Sequence, residues 1–227
     1  MRALWRETLV AVLITIVGGV AAYLLVRGDP SWFYAIVPDD LAQGRGPGAS
    51  APELRAAIEG TGADIGFATQ LFIHNSQVAL MCFALGFAFG VPTVLMLLYN
   101  GCTLGGFIAV YAAKGMGWEF VAWVSIHGTT ELFAIALAGA AGLRIGMATA
   151  FPGDRTRFAS AVRAGRTAAL VMLGAVFMLG LAGLIEGIGR QLVQHAPLRA
   201  AIGGGALLAW LVYFYAPRAP AEADDHG

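Results

Sequence analysis

The chain has 227 residues, 58% of them hydrophobic and 12% charged, with no net charge and a mean hydropathy of +0.72. A soluble domain carries roughly 25% charged residues; this chain lacks the polar surface that water requires, whereas lipid tolerates apolar side chains facing outward. The same balance excludes a nucleic-acid binder, which would need a basic stripe, and predicts an all-α polytopic membrane helix bundle.

Arg2 and Arg6 precede an apolar run from Leu9 to Val26. Its 18 residues exceed the roughly 7–15 of a signal-peptide core, so it reads as an uncleaved first helix. Six spans are predicted, at 8–27, 67–89, 91–113, 118–148, 165–188 and 198–215, within one transmembrane domain covering 1–220. A hydrocarbon core of about 30 Å needs roughly 20 residues at 1.5 Å each. The fourth stretch is longer, and must tilt, break or leave the membrane. Gly90-Val91-Pro92 separates the second stretch from the third. Proline disfavours helical geometry at the residue before it, so either a tight turn or a kink falls there.

The segment 28–66 is the longest non-membrane piece. It carries Asp29, Asp39, Asp40, Glu53, Glu59 and Asp64 against Arg45 and Arg55. Trp32, Phe33 and Tyr34 read as an interfacial anchor. Gly44-Arg45-Gly46-Pro47-Gly48 reads as flexible. Ser50, with Glu53 three residues on, predicts a capped helix to Glu59. Arg2 and Arg6, and later Arg155, Arg157, Arg163 and Arg166, mark the cytoplasmic side. They predict N-in and C-in, with 28–66 outside and an acidic disordered tail at 221–227.

Ionisable groups inside spans are functional candidates by default. His74, beside Asn75, lies in the second span, His127 and Glu131 in the fourth, and Glu186 in the fifth; Asn100 adds a carboxamide in the third. His127 and Glu131, four apart, share one helix face. On the predicted topology His74, His127 and Glu186 fall in the outer half, with Glu131 nearer the centre. Arg144 is expected to snorkel to the cytoplasmic interface. Three readings stay open for the polar set: helix-locking hydrogen bonds and ion pairs, a ligand or proton pathway, and a metal site from His74, His127 and a glutamate. The expected assignment names no metal, cofactor or catalytic residue. Cys82 and Cys102 sit in apolar runs and read as packed thiols. Four glycine pairs at four-residue spacing, Gly86 and Gly90, Gly101 and Gly105, Gly142 and Gly146, Gly183 and Gly187, predict close helix packing.

Several strings occur in order: Phe72-Ile-His-Asn-Ser, Ala84-Leu-Gly-Phe-Ala-Phe-Gly90, Asn100-Gly-Cys-Thr-Leu-Gly105, Ile126-His-Gly-Thr-Thr-Glu131 and Ala182-Gly-Leu-Ile-Glu-Gly187. Together they resemble the stage II sporulation protein M family of integral membrane proteins from about residue 67 to 188, with a looser likeness over the first span. On that resemblance Asn75, Asn100, His127, Glu131 and Glu186 occupy recurrent polar positions. The chain departs from the family at Ser76, where a second asparagine is frequent, and at Ile188-Gly189-Arg190, where an aromatic and Ser-Pro are frequent. The resemblance implies a bacterial or archaeal cytoplasmic membrane. It also implies a non-enzymatic scaffold that recruits partners in envelope or cell-wall remodelling, without implying sporulation. The alternative is a transporter or lipid-handling protein with an outward-facing polar pocket. The expected partners are the lipid bilayer, membrane or envelope proteins and a second copy of the chain.

Overall fold

The computed structural model describes residues 2–59 and 65–216, with the side chains of 65–71 and 186–192 left undescribed. The predicted tail, residues 60–64 and the side chain of Glu186 therefore lie outside the described residues.

The six apolar stretches fall on six long helices: α1 (Trp5–Gly28), α5 (Ile65–Ala84), α6 (Val91–Ala113), α7 (Gly117–Ala150), α8 (Arg157–Leu192) and α9 (Ala196–Tyr215). Three short ones, α2 (Trp32–Ile36), α3 (Asp39–Ala42) and α4 (Ala51–Glu59), lie between α1 and α5. Among the described residues there is no strand. Five of the long helices, all but α5, are long and apolar enough to cross a membrane over their described residues; α5 with the turn after it forms a shorter apolar piece, Phe72–Phe87.

The break at residues 85–90 is a turn. Thr93 donates its hydroxyl to the Cys82 carbonyl at 2.8 Å, which two residues eleven apart reach only if the chain doubles back. Gly90 makes the reversal at φ +75°, in the left-handed region open to glycine. Parallel neighbours are read from paired contacts. Gly101 and Gly105 of α6 meet Thr15 and Gly19 of α1, and Gly86 and Gly90 meet Gly142 and Gly146. Along α9, Trp210 reaches Thr130 and Phe214 reaches Phe133 of α7. The helices thus alternate in direction along the chain. Thr8 and Tyr215, near the two ends of the bundle's chain path, hydrogen-bond at 3.1 Å.

α7 is the central helix and packs on α1, α5, α6, α8 and α9. Its 34 residues, about 51 Å at 1.5 Å each, form one unbroken helix that outruns a hydrocarbon core. Backbones pass so closely that a Cβ at Gly142 would strike the Cys82 carbonyl, and one at Gly105 the Gly19 carbonyl. In lipid, where burial between helices yields little hydrophobic gain, such van der Waals contact is what holds helices together.

The segment before α5 is a folded cap. Phe33 is fully buried, packing edge-on against Phe107 of α6 at 5.4 Å. Trp32 and Tyr34 are exposed, whereas Phe33 of the expected aromatic anchor is not. The Phe33 ring fills the gap beneath the cap. Leu54 and Ile58 bury the inner face of α4. The expected capping box is present: Ser50 donates its backbone N–H and its hydroxyl to Glu53 Oε2 at 2.8 and 2.7 Å. Those bonds from Ser50, side chain first, hold the Glu53 carboxyl below the usual carboxylate range. A depressed folded value stabilises α4 above the unfolded pKa of about 4.3 and is lost as pH falls through the lower, folded value. Ser50→Ala is expected to bring the Glu53 titration, followed by carboxyl-carbon NMR shifts, back toward that of an unstructured glutamate.

Gly105→Ala is expected to force α1 and α6 apart and cost about 1–3 kcal/mol, read as a lower unfolding temperature in detergent. Gly180→Ala, where an added Cβ meets nothing within 4 Å, is expected to leave it unchanged.

Candidate functional site

Two apolar clusters divide the bundle. One joins the cap to α6 and the start of α7 through Phe33, Tyr111, Phe120 and Trp123. The other begins at Phe133 and fills the far half around α7. Between Trp123 and Phe133 the central helix carries His127 and Glu131, which are 2% and 3% exposed. They line a cavity of about 110 Å³ together with His74 and Asn75 of α5, Asn100 and Thr103 of α6, and Leu41 and Arg45 of the cap.

The hairpin register explains why residues 25 positions apart in sequence share this cavity. Thr93 pairs with Cys82 across the α5–α6 turn; moving both positions seven residues away from the turn, two helical turns each, brings Asn100 level with Asn75. α7 then lies parallel to α5, and Asn75 Nδ2 donates to Glu131 Oε2 at 2.7 Å. A bond of this kind satisfies part of a buried carboxyl group's demand where water is scarce. Asn100 Nδ2 is also buried in the wall, and has no hydrogen-bond partner among the described residues. An orphaned buried donor costs about 1–3 kcal/mol, so this group is set for an acceptor.

The remaining walls are aromatic. Rings pass inward from the cap in a series: Phe33 to Phe107 at 5.4 Å, Phe107 to Phe120 at 6.2 Å, Phe120 to Trp123 at 5.9 Å, and Trp123 edge-on to His127 at 6.0 Å. Arg45 closes the cap side. It donates to the Ala42 and Leu41 carbonyls at 3.2 and 3.1 Å, and its guanidinium lies 5.7 Å from the Phe107 ring centre, within cation–π range.

Five of the six expected polar residues therefore converge: His74, Asn75, Asn100, His127 and Glu131. Glu186 lies on α8, with its side chain outside the described residues. Arg144 is half exposed and meets Glu7 of α1 at 2.9 Å. Among the described residues, which do not include the Glu186 side chain, no three histidine, cysteine or carboxylate side chains converge on one point.

The sequence matches the profile of the stage II sporulation protein M family over residues 11–189. The chain belongs to that family. The match extends back over most of α1 and takes in every cavity-lining residue. No curated protein and no solved structure matches the chain. Family membership and the apolar helices together make it a membrane protein of the stage II sporulation protein M type.

One site residue, Arg45, and one buried arginine outside the cavity, Arg199, escape a reading by apolar runs. Arg45 sits in a glycine-rich stretch that composition marks as flexible; only the cap's packing aims it at the cavity. Arg199, 2% exposed at the start of α9, donates to the Val193 carbonyl at 2.7 Å and to Gln194 Oε1 at 3.0 Å. A lone arginine entering an apolar run is the signal that could have marked it.

A double-mutant cycle of Asn75→Leu and Glu131→Leu is expected to give a coupling of about 0.6–1.7 kcal/mol, the range for interhelical hydrogen bonds in lipid, measured by unfolding in detergent. Glu131→Gln, whose carboxamide oxygen still accepts from Asn75, is expected to cost less than Glu131→Leu.

Proposed function

We propose that this protein is an integral membrane scaffold that recruits partners for envelope or cell-wall remodelling, with both ends of the bundle's chain path in the cytoplasm and the cap outside. The observation that carries the reading is how the bundle closes beyond the cavity. Leu97 packs on Gly139, Cys82 on Gly142 and Gly90 on Gly146, among buried alanines. Rigid closure of this kind suits a protein that holds others in place. The family membership supports the same reading, and the folded cap offers an extracytoplasmic platform with Trp32 and Tyr34 exposed. No chemical step is assigned to the polar residues.

Arg2 precedes α1, Arg6 lies in its first turn, and Arg144 near the far end of α7 pairs with Glu7. The basic residues around 155–166 follow α7 directly. One basic pole is what the positive-inside bias places in the cytoplasm. Ala51→Cys on the cap is expected to react with a membrane-impermeant maleimide in intact cells, and Ala159→Cys on α8 only after permeabilisation.

Purification in mild detergent followed by mass spectrometry tests the scaffold. The expected result is a reproducible set of envelope proteins, weakened by Trp32→Ala with Tyr34→Ala. A chain that emerges alone and does not self-associate contradicts it. The capped cavity favours one second reading, transport or lipid handling. Under that reading, flux or lipid scrambling in liposomes is expected to fall with His127→Ala and Glu131→Gln; no flux removes it.

A further inference from the structure

The polar cavity has an apolar neighbour. A groove of about 370 Å³ runs between α1 and α9, floored by α6 and α7, and lined by Val12, Ile16 and Val20 on one side and Leu207 on the other. It lies on the cap side of the Thr8–Tyr215 contact, which ties α1 to α9 at the opposite end. Its volume falls within the range of ligand pockets, about 300–1,000 Å³. Leu104 and Leu132 line both the groove and the polar cavity. They are the shared partition, and both are partly exposed although Thr103, Gly105, Glu131 and Phe133 beside them are buried.

We propose that cavity and groove together form one binding site for a single-chain amphiphile. Its tail lies in the groove, its neck passes Leu104 and Leu132, and its small uncharged head hydrogen-bonds in the polar cavity. The tail assignment follows from the groove's surroundings. The groove lies on membrane-spanning helices, and from Val12 to Val20 the α1 wall runs about 12 Å at 1.5 Å per residue, room for a stretch of acyl or prenyl chain.

The head assignment follows from charge and from one orphaned donor. Arg45 stands at the cap side and repels a cationic head, while an anionic head would be carried deep beside the Glu131 carboxyl group, so an uncharged head suits the cavity best. Asn100 Nδ2 has no partner among the described residues and lies in an almost fully buried side chain, 9% exposed. It calls for an acceptor oxygen, while its own carboxamide oxygen takes a donor. A hydroxyl or amide head supplies both in one group. The inference goes beyond the scaffold reading, since a scaffold requires no ligand, and it survives if no protein partner is found.

The test uses the full chain in nanodiscs with a monoacylglycerol bearing a diazirine in its acyl chain. Cross-links mapped by mass spectrometry are expected to concentrate on peptides of α1, α6 and α7 that line the groove. Unlabelled monoolein is expected to compete, whereas oleate, stearylamine and glycerol without a tail compete at least about tenfold less well, the scale of one lost buried hydrogen bond or misplaced charge. Leu132→Trp, which fills the neck, is expected to remove the concentrated labelling, and Leu173→Trp on the exposed face of α8 to leave it intact. Asn100→Leu is expected to weaken monoolein competition about tenfold while the ligand-free protein unfolds at the same temperature or higher, because an unsatisfied buried donor has been removed. A residue with a merely structural role would lower that temperature. Labelling spread evenly over all lipid-facing helices, labelling indifferent to Leu132→Trp, or competition by oleate or stearylamine equal to that by monoolein would overturn the proposal.

Discussion

Hydrocarbon cannot solvate a carboxylate, and this one constraint organises the bundle. Glu131 sits on α7 where a charge facing lipid would cost several kcal/mol. α7 is accordingly the helix that the others surround, and Asn75 of α5 donates directly to Glu131. The hairpin of α5 and α6 brings Asn100 to the same level, and the cap folds over the Phe33 end of the aromatic series. The polar centre is enclosed because the alternative, exposure to acyl chains, is the costlier arrangement.

Enclosure requires that helices approach closely, and glycine supplies the approach. The pairs at 86 and 90 and at 142 and 146 meet one another, and those at 101 and 105 meet α1. These faces are used within one chain. The far half of the bundle is thereby closed with small side chains while the half under the cap stays open enough for a cavity. A rigid half beneath a hollow one is the arrangement on which the proposed scaffold and the proposed amphiphile site both rest.

Much of this was legible in the sequence, for identifiable reasons. Apolar runs report where hydrocarbon lies, so the six stretches fall on six helices. They do not report where a helix stops: α8 begins at Arg157, ahead of its apolar run, because backbone hydrogen bonding continues into the polar interface. Gly90-Val91-Pro92 marked a break, but turn and kink share those residues; the Thr93 bond to Cys82 decides between them. The capping box was legible because Ser50 and Glu53 interact locally. Phe33, Arg45 and Arg199 were not, since their places depend on contacts far along the chain. The five polar residues that share the cavity could each be marked in the sequence because polar and ionisable groups in a span are rare. The Asn75–Glu131 bond, 56 residues apart, needed the fold.

The measurement that bears most directly on this account is solid-state NMR of the isotope-labelled protein in lipid bilayers. A through-space correlation between the side-chain nitrogen of Asn75 and the carboxyl carbon of Glu131, with none from that carbon to acyl-chain methylenes, is the predicted result. A Glu131 carboxyl that correlates with lipid chains instead, and shows no contact to Asn75, would contradict the enclosed polar centre and every functional reading built on it.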